Sequence, residues 1–404
     1  MGWRLSEESW FPKGASVNDM KIRASYGQLG NDRVNANQFR DNFQIKNSNI
    51  STGNSAANVP AIEYTLLANP NITWEVAKKY NIGLSATFFK KLVFDLDLFK
   101  EDRTSILASR NISIPAVSGI SSAQIPKENI GEVHNQGIET QIQYNGSKND
   151  FTYTFGGNFS FAKNKVIFLD EAPGTLSYQR LTGKPMGSDP NNPGNELLYQ
   201  AIGVFKSQAE VDAYPHVAGA GPGDLRYEDI DKDGQITPAD RIRTELSNIP
   251  QVTYGFNVGA GYKNFSLNIL FQGQARVAQY VMIESGEFSN IMQSRADGAW
   301  SPANTDGSSP KIDSRASTGV NGSYRNTFWL QNTAFIRLKN AEIAYTVPAK
   351  ILSKIGLGGV RIYANGFNLL TFTKVKDFDP EGSDGYAYFY PQQKIYNLGV
   401  NVSF

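Results

Sequence analysis

The run Asp229-Ile-Asp231-Lys-Asp233-Gly234-Gln235-Ile-Thr237-Pro-Ala-Asp240 carries the sharpest chemical signal in this sequence. Carboxylates at positions 1, 3 and 5 converge on one point when a glycine at position 6 turns the chain sharply. Gln235, at position 7, offers its backbone carbonyl. Thr237, at position 9, acts through water, and Asp240, at position 12, closes the shell. Hard oxygen ligands of this kind suit Ca²⁺. The usual glutamate at position 12 is an aspartate here, whose shorter side chain weakens bidentate closure. No helix pair is evident on either side, which argues against a regulatory EF-hand. Two readings stand: a structural Ca²⁺ that pins a long loop, or a bare Asp/Gly-rich turn.

Catalysis has little support. His134 and His216 are the only histidines, and they have no metal-ligand spacing. No nucleophile elbow or glycine-rich phosphate loop appears. His134 precedes an expected strand and could stand at a hydrolase rim, but a lone histidine is more often structural. No catalytic residue is assigned, and the chain is not read as an enzyme. Ser207-Gln-Ala-Glu210 reads as a capping box opening a short helix. Tyr386, Tyr388, Phe389 and Tyr390 form an aromatic cluster. It suits sugar or peptide stacking, or more simply an interfacial girdle.

Thirty-nine basic against 38 acidic residues give a net charge of +1, so nothing attracts nucleic acid globally. Cysteine is absent, which excludes a disulfide scaffold and cysteine-ligated zinc. No apolar run approaches the roughly 18 residues of a transmembrane helix, but strands escape that test because only alternate residues face lipid. The charged first twenty residues do not read as a signal peptide.

The elements that must position these groups show period-two alternation. In the last segment Tyr396, Leu398, Val400, Val402 and Phe404 oppose Asn397, Gly399, Asn401 and Ser403. Phe151 to Phe161, Tyr254 to Tyr262, Phe265 to Phe271, Met20 to Tyr26 and Ile138 to Tyr144 repeat the pattern. Tyr80 and Phe88 lie eight positions apart on the apolar face, as do Tyr153 and Phe161, Tyr254 and Tyr262, and Tyr396 and Phe404. Eight residues span about 26 Å of strand, or about 20 Å of height when tilted, close to the ~25 Å apolar band of an outer-membrane barrel. Lys21, Arg23, Glu139, Gln141, Gln143, Asn257 and Asn268 fall on the opposite, inward face. One strand disobeys: Arg337 and Lys339 share parity with Ala341, Ile343 and Tyr345. Either these charges sit above the membrane or a bulge resets the face. Lys78, on the face of Tyr80, is expected beyond the aromatic edge.

Ten strands are expected, near 19–27, 73–88, 92–102, 136–144, 151–163, 252–262, 265–275, 335–345, 360–370 and 394–404. The connections alternate between short turns (Phe89–Lys91, Asn145–Asp150, Lys263–Asn264, Thr346–Gly359) and long loops (Gln28–Ile72, Arg103–Asn135, Asn164–Gln251, Arg276–Ala334, Thr371–Gln393). Short turns belong at the periplasm and long loops outside. The predicted fold is therefore all-β, an antiparallel transmembrane β-barrel of about 10–11 strands with long extracellular loops. The competing fold is a soluble or surface-attached, calcium-stabilised β-sandwich that binds glycans.

Several stretches also resemble SusC/RagA-type TonB-dependent transporters of Bacteroidetes outer membranes. They are Lys21-Ile-Arg-Ala-Ser-Tyr-Gly-Gln-Leu-Gly-Asn-Asp32, Asn69-Pro-Asn-Ile-Thr-Trp-Glu75, Asn129-Ile-Gly-Glu-Val-His-Asn-Gln-Gly-Ile-Glu139, Pro222 to Gly234, Arg337-Leu-Lys-Asn340 with Tyr345-Thr-Val-Pro348, and Phe367-Asn-Leu-Leu-Thr-Phe-Thr373. The terminal strand ending at Phe404 resembles the family's assembly signal. The resemblance implies a 22-stranded barrel in the outer membrane, an N-terminal plug and TonB box, a SusD-like lipoprotein lid, and uptake of glycans, oligosaccharides or peptides. Residues 1–404 then correspond to the C-terminal part of such a barrel. Plug, TonB box and signal peptide are absent, which suggests a partial product that would reach the TonB complex only through the missing N-terminal region.

Overall fold

The computed structural model describes all residues except 13, 15, 53–54, 111–116, 118, 122, 188–195, 283–290, 313–323, 354–355 and 383–389. One sheet of eleven antiparallel strands dominates it. In chain order these are β1 (Gly2–Arg4), β2 (Val17–Asn31), β3 (Glu75–Phe88), β4 (Leu92–Ser109), β5 (Lys127–Lys148), β6 (Phe151–Phe168), β7 (Val252–Tyr262), β8 (Phe265–Ala275), β9 (Phe335–Thr346), β10 (Gly359–Thr373) and β11 (Ile395–Ser403). Each pairs with the next along the chain, giving an up-and-down meander.

Register turns the alternation of each strand into two continuous surfaces. One cross-strand row reads Phe88, Leu92, Tyr144, Phe155, Val258, Ile269, Ala341, Gly366 and Tyr396. It crosses nine strands without a polar side chain. A row on the other face reads Lys21, Ser85, Asp95, Gln141, Asn158, Gly255, Gln272, Arg337 and Thr371. It crosses nine strands without an apolar one. The apolar face is uncovered: Ile82 is 60%, Phe155 51% and Leu398 87% exposed. Among the described residues no second sheet packs against it, which overturns the sandwich alternative. Side chains left open on so wide a face have hydrocarbon as their natural solvent.

Aromatic rings gather towards both margins of this face. Tyr26 and Tyr80 lie 5.1 Å apart towards the loop end. Tyr144 and Tyr153, at 5.8 Å, and Phe265 and Tyr345, at 4.8 Å, lie towards the turn end. Beyond Tyr80 the outward face turns polar: Lys78 pairs in register with Gln28 and Asp102. This is where the sequence places it, past the aromatic edge.

The parity conflict in β9 resolves as a bulge. The register with β8 shifts between Leu270 and Phe271, and that with β10 shifts between Leu338 and Asn340. Against β8 the extra residue is Lys339, whereas against β10 the surplus lies in β10 at Asn368–Leu369, where Asn368 takes a left-handed conformation (φ 52°). Leu338 and Ile336 therefore continue the apolar face, and Arg337 turns inward to 1% exposure.

Tight connections join the strands at one end. Asn149 and Lys263 take the left-handed conformation (φ 55° and 53°), and the Lys263 N–H donates to the Asp150 carbonyl at 3.1 Å. The turn expected over Asn145–Asp150 shrinks to Asn149–Asp150, because β5 continues to Lys148. At the other end β4, β5 and β6 run past their expected limits, to Ser109, back to Lys127 and to Phe168. Both faces are polar there, as at Glu101-Asp102-Arg103, so pairing persists where the period-two signal has ended. β1, with three residues, is too short to show a period. Asn42–Thr52 and Ser55–Leu66 form a further antiparallel hairpin in the first long loop.

The dry core lies in the long loops, not in the sheet. Tyr199, Val204, Val217, Leu225 and Tyr227 are buried together, with Trp300, Tyr324 and Phe328 against them. Two loops of the same end, 169–251 and 276–334, thus share one hydrophobic cluster.

Candidate functional site

The inward face of the sheet and the loops above it form the candidate site. Arg23 donates to Asp97 at 2.7 Å and lies 3.9 Å from Asp95. Asp95 and Asp97 continue in register into Gln141, Glu139, Asn158 and Ser160, and together with Thr253, Gln272 and Gln274 they line a cavity of about 590 Å³. On β9 and β10, Glu342 accepts from Arg361 and Asn365. Carboxylates, amides and hydroxyls thus line one wall, which is the chemistry of a wet or plugged lumen and not of a membrane-facing surface.

Arg337 closes this wall at the loop end. Its Nη2 donates to both carboxylate oxygens of Asp379 at 2.9 Å, Nη1 donates to Glu381, and Nε donates to Thr371 Oγ1 at 2.9 Å. The guanidinium also lies over the Phe335 ring, 5.1 Å from its centroid. The loop after β10 is thereby fastened to the barrel wall. In the sequence Arg337 is only a charge of open parity, because its carboxylate partners lie more than forty residues away.

The acidic run forms part of the loop cap. Carboxylate oxygens of Asp229, Asp231 and Asp233 lie within 4.8 Å of one another. Lys232 (φ 62°) and Gly234 (φ 83°) supply the sharp turn. Asp229 Oδ2 accepts from the Gly234 N–H at 2.9 Å, Asp231 Oδ1 from Asp233 N–H at 3.2 Å, and Asp233 Oδ1 from Gln235 N–H at 2.8 Å. Asp229 Oδ1 is buried and has no hydrogen-bond partner among the described residues. Burial raises the Asp231 carboxyl above its ordinary range, and the charges of Asp233, Asp240 and Asp229 add to this.

Asp240 does different work from the shell-closing role its position suggests. It is wholly buried, and its two oxygens accept from the Ile230 N–H at 2.7 Å and the Thr237 N–H at 2.8 Å. Thr237 caps a 3₁₀ turn over Pro238–Asp240, its hydroxyl oxygen accepting from Ala239 N–H at 3.1 Å. The structure therefore brings the three leading aspartates together and assigns Thr237 and Asp240 to a capping box.

Of the remaining candidates, Ser207 caps the helix Gln208–Ala213, accepting from Glu210 N–H. Glu210 in turn accepts from Lys206 N–H at 2.9 Å. His134 lies within β5, not before it, and its Nε2 sits 3.4 Å from Asp102 Oδ1 on β4. His216 Nδ1 lies 2.9 Å from the Tyr214 carbonyl oxygen. Tyr390 is 88% exposed, whereas Tyr386, Tyr388 and Phe389 lie outside the described residues.

Comparison with known proteins accounts for this arrangement. Residues 2–369 match the family model described as "TonB dependent receptor-like, beta-barrel". A TonB-dependent receptor of Formosa agariphila, P3, is 30% identical across the whole of this chain, which covers 41% of that protein. SusC of Bacteroides thetaiotaomicron, also a TonB-dependent receptor, is 23% identical across the whole chain and is covered to 39%. The RagAB peptide transporter shares the fold, with a TM-score of 0.72 at 21% identity over all of this chain and 43% of that one. The chain thus spans about two-fifths of the length of the curated relatives it matches. The kinship expected with the SusC/RagA type is borne out by these relatives, and with the outward apolar belt it places the chain in the outer membrane. This chain belongs to the TonB-dependent receptor β-barrel family.

Proposed function

We propose that this chain supplies the C-terminal barrel wall of a nutrient importer, which takes up glycans, oligosaccharides or peptides by TonB-dependent transport. A SusD-like lipoprotein lids its loop-bearing mouth, and the TonB complex acts through a plug beyond this segment. The observation that carries the reading is the pair of nine-strand rows, one wholly apolar and outward, the other wholly polar and inward. A transport path needs both at once. The likeness to SusC and to the RagAB peptide transporter supports the partner and the cargo classes.

The same reading gives the Asp229-Asp231-Asp233 turn a structural Ca²⁺. In its favour stand the three converging carboxylates, the buried Asp229 oxygen with no donor among the described residues and the raised Asp231 carboxyl. Bound there, the ion would offset the mutual repulsion of the aspartates.

The test is energised uptake. Cells carrying the complete receptor should accumulate a labelled oligosaccharide or peptide, and should lose that uptake when the membrane potential is collapsed. A receptor that washes out of membranes with alkaline carbonate and stays monodisperse without detergent would overturn the reading.

A further inference from the structure

At the loop end of β2 to β6 the outward face turns from apolar to polar along one frontier. The apolar residues that reach it are Tyr26, Tyr80, Leu98, Ile138 and Phe161. The next outward residues on the same strands are Gln28, Lys78, Lys100, Gln136 and Lys163. One step further from the hydrocarbon, Asp102, His134 and Lys165 lie opposite one another on β4, β5 and β6. Three strands thus place a lysine directly beyond their apolar edge, and none of the five places an acid there.

Most of this positive charge is unmatched by the protein. Lys100 Nζ lies 3.0 Å from Asp102 Oδ2, and His134 Nε2 lies 3.4 Å from Asp102 Oδ1, so one carboxylate serves both. Lys78, Lys163 and Lys165 have no ion-pair partner among the described residues. The next outward acid on β5, Glu132, stands two residues beyond His134. The inward face of the same strands is balanced instead: Lys79 pairs with Glu101 at 3.6 Å and Arg103 with Glu75 at 3.1 Å. Lys163 and Lys165 are exposed, and Lys78 is half-buried along the apolar edge. That suits a long side chain whose stem lies on apolar surface while its ammonium reaches the interface.

The patch is local and small. On β10 the outward face stays apolar through Leu370 and Phe372, which are 51% and 60% exposed. From β3 to β6 the lysines span three strand spacings, ~14 Å, and one step of the pleat, ~7 Å. That is about 100 Å², against the roughly 800 Å² a side of a standard protein interface. It has the size of one head group, not of a protein partner. On the other side of the frontier Tyr80, Leu98 and Phe159, 42%, 49% and 39% exposed, continue into the face that meets hydrocarbon. A lipid brings acyl chains to that face and an anion to its rim in one molecule. The anion is a phosphate, which lysines take as point charges.

We propose that the outward faces of β3 to β6 form a binding site for a phosphate-bearing lipid of the outer leaflet. Lys78, Lys163 and Lys165 hold the phosphate, and the acyl chains lie along Tyr80, Leu98 and Phe161. The proposal rests on the outward assignment of the apolar face. It is independent of cargo and of energised uptake, so it stands or falls apart from the importer reading.

Native mass spectrometry on the complete, detergent-purified receptor tests it by counting bound lipid. The probes are monophosphoryl lipid A, the same lipid freed of its phosphate, and inorganic phosphate as a competitor. The wild type should prefer the phosphorylated lipid by about tenfold or more, and inorganic phosphate at equal concentration should not displace it. Lys78→Gln with Lys163→Gln and Lys165→Gln should lower that affinity about a hundredfold, at about fivefold for each lysine. The same three positions changed to arginine should retain it. Lys90→Gln with Lys148→Gln, at the turn end of the sheet, should leave it unchanged. If the triple glutamine variant fails to fold, Lys163→Gln alone decides, with a loss of about fivefold. Equal binding of the two lipids would overturn the proposal, as would displacement by inorganic phosphate. So would unchanged affinity in the folded glutamine variants, or an equal loss from the turn-end variant.

Discussion

Arg337 Nη2 donates to both carboxylate oxygens of Asp379 at 2.9 Å, across forty-two residues of sequence. Both side chains are largely shielded, at 2% and 10% exposure. Such a pair is weak evidence for added stability, but removing one partner strands the other. Arg337→Met should destabilise the barrel by about 3 kcal/mol and release the loop beyond β10. Limited proteolysis of that loop should quicken, and adding Asp379→Leu to the same chain should recover most of the loss.

The two faces of β8 should respond oppositely to the same charge. Ile269 lies on the outward row, and Asn268 faces inward beside Gly259. Ile269→Arg should cost about 2–4 kcal/mol at the membrane midplane, whereas Asn268→Arg should cost little. The folded, heat-modifiable fraction recovered in outer membranes reads the difference. Equal recovery of both variants would contradict the assignment of the faces.

Alkali should loosen the loop cap before the barrel wall. Burial pushes the Tyr227 phenol above its ordinary value, although its hydrogen bond from Asn326 works in the opposite direction. A group whose pKa is raised on folding contributes stability that is complete below its unfolded value. That contribution is lost as pH climbs towards the folded one. Tyrosinate absorbance should therefore appear together with loss of the loop cluster, above the ordinary tyrosine range. Tyr227→Phe should remove this component of the alkaline transition and leave Asn326 Nδ2 its contact with the Tyr324 carbonyl at 2.7 Å.

Calcium should stabilise the cap in a pH-dependent way. The Asp231 carboxyl is raised by burial and by neighbouring carboxylates. Without an ion its contribution is thus complete at acid pH and lost as pH rises through the folded value. Ca²⁺ needs the ionised form, so its stabilising effect should grow over that same window and vanish in acid. Thermal melting of the chelated receptor with and without Ca²⁺ reads this. Asp229→Asn with Asp233→Asn should abolish the calcium response while sparing the fold, because Asp240 clips the loop through backbone N–H groups alone.

The sequence by itself determined the sheet. Strand order, the assignment of faces and the two turns at Lys90 and Lys263 follow from alternation, which records a solvent that differs on the two sides of every strand. The leading aspartates of the acidic run were legible too, because Asp-x-Asp-x-Asp-Gly is a local geometry. Tertiary structure alone decided whatever depended on distant partners or on faces alike in polarity. Polar-on-polar strand ends beyond Glu101 leave no period to read. The parity of Arg337 and Lys339 leaves a bulge and a position above the membrane both open, and only the register of β9 against β8 decides for the bulge. The loop cluster of Tyr199, Leu225 and Tyr227 is assembled from two loops separated by β7 and β8. Gln251 looks like any loop glutamine until the Arg276 side chain and the Ala162 N–H hold it, because such partners are set by the fold and not by residue type.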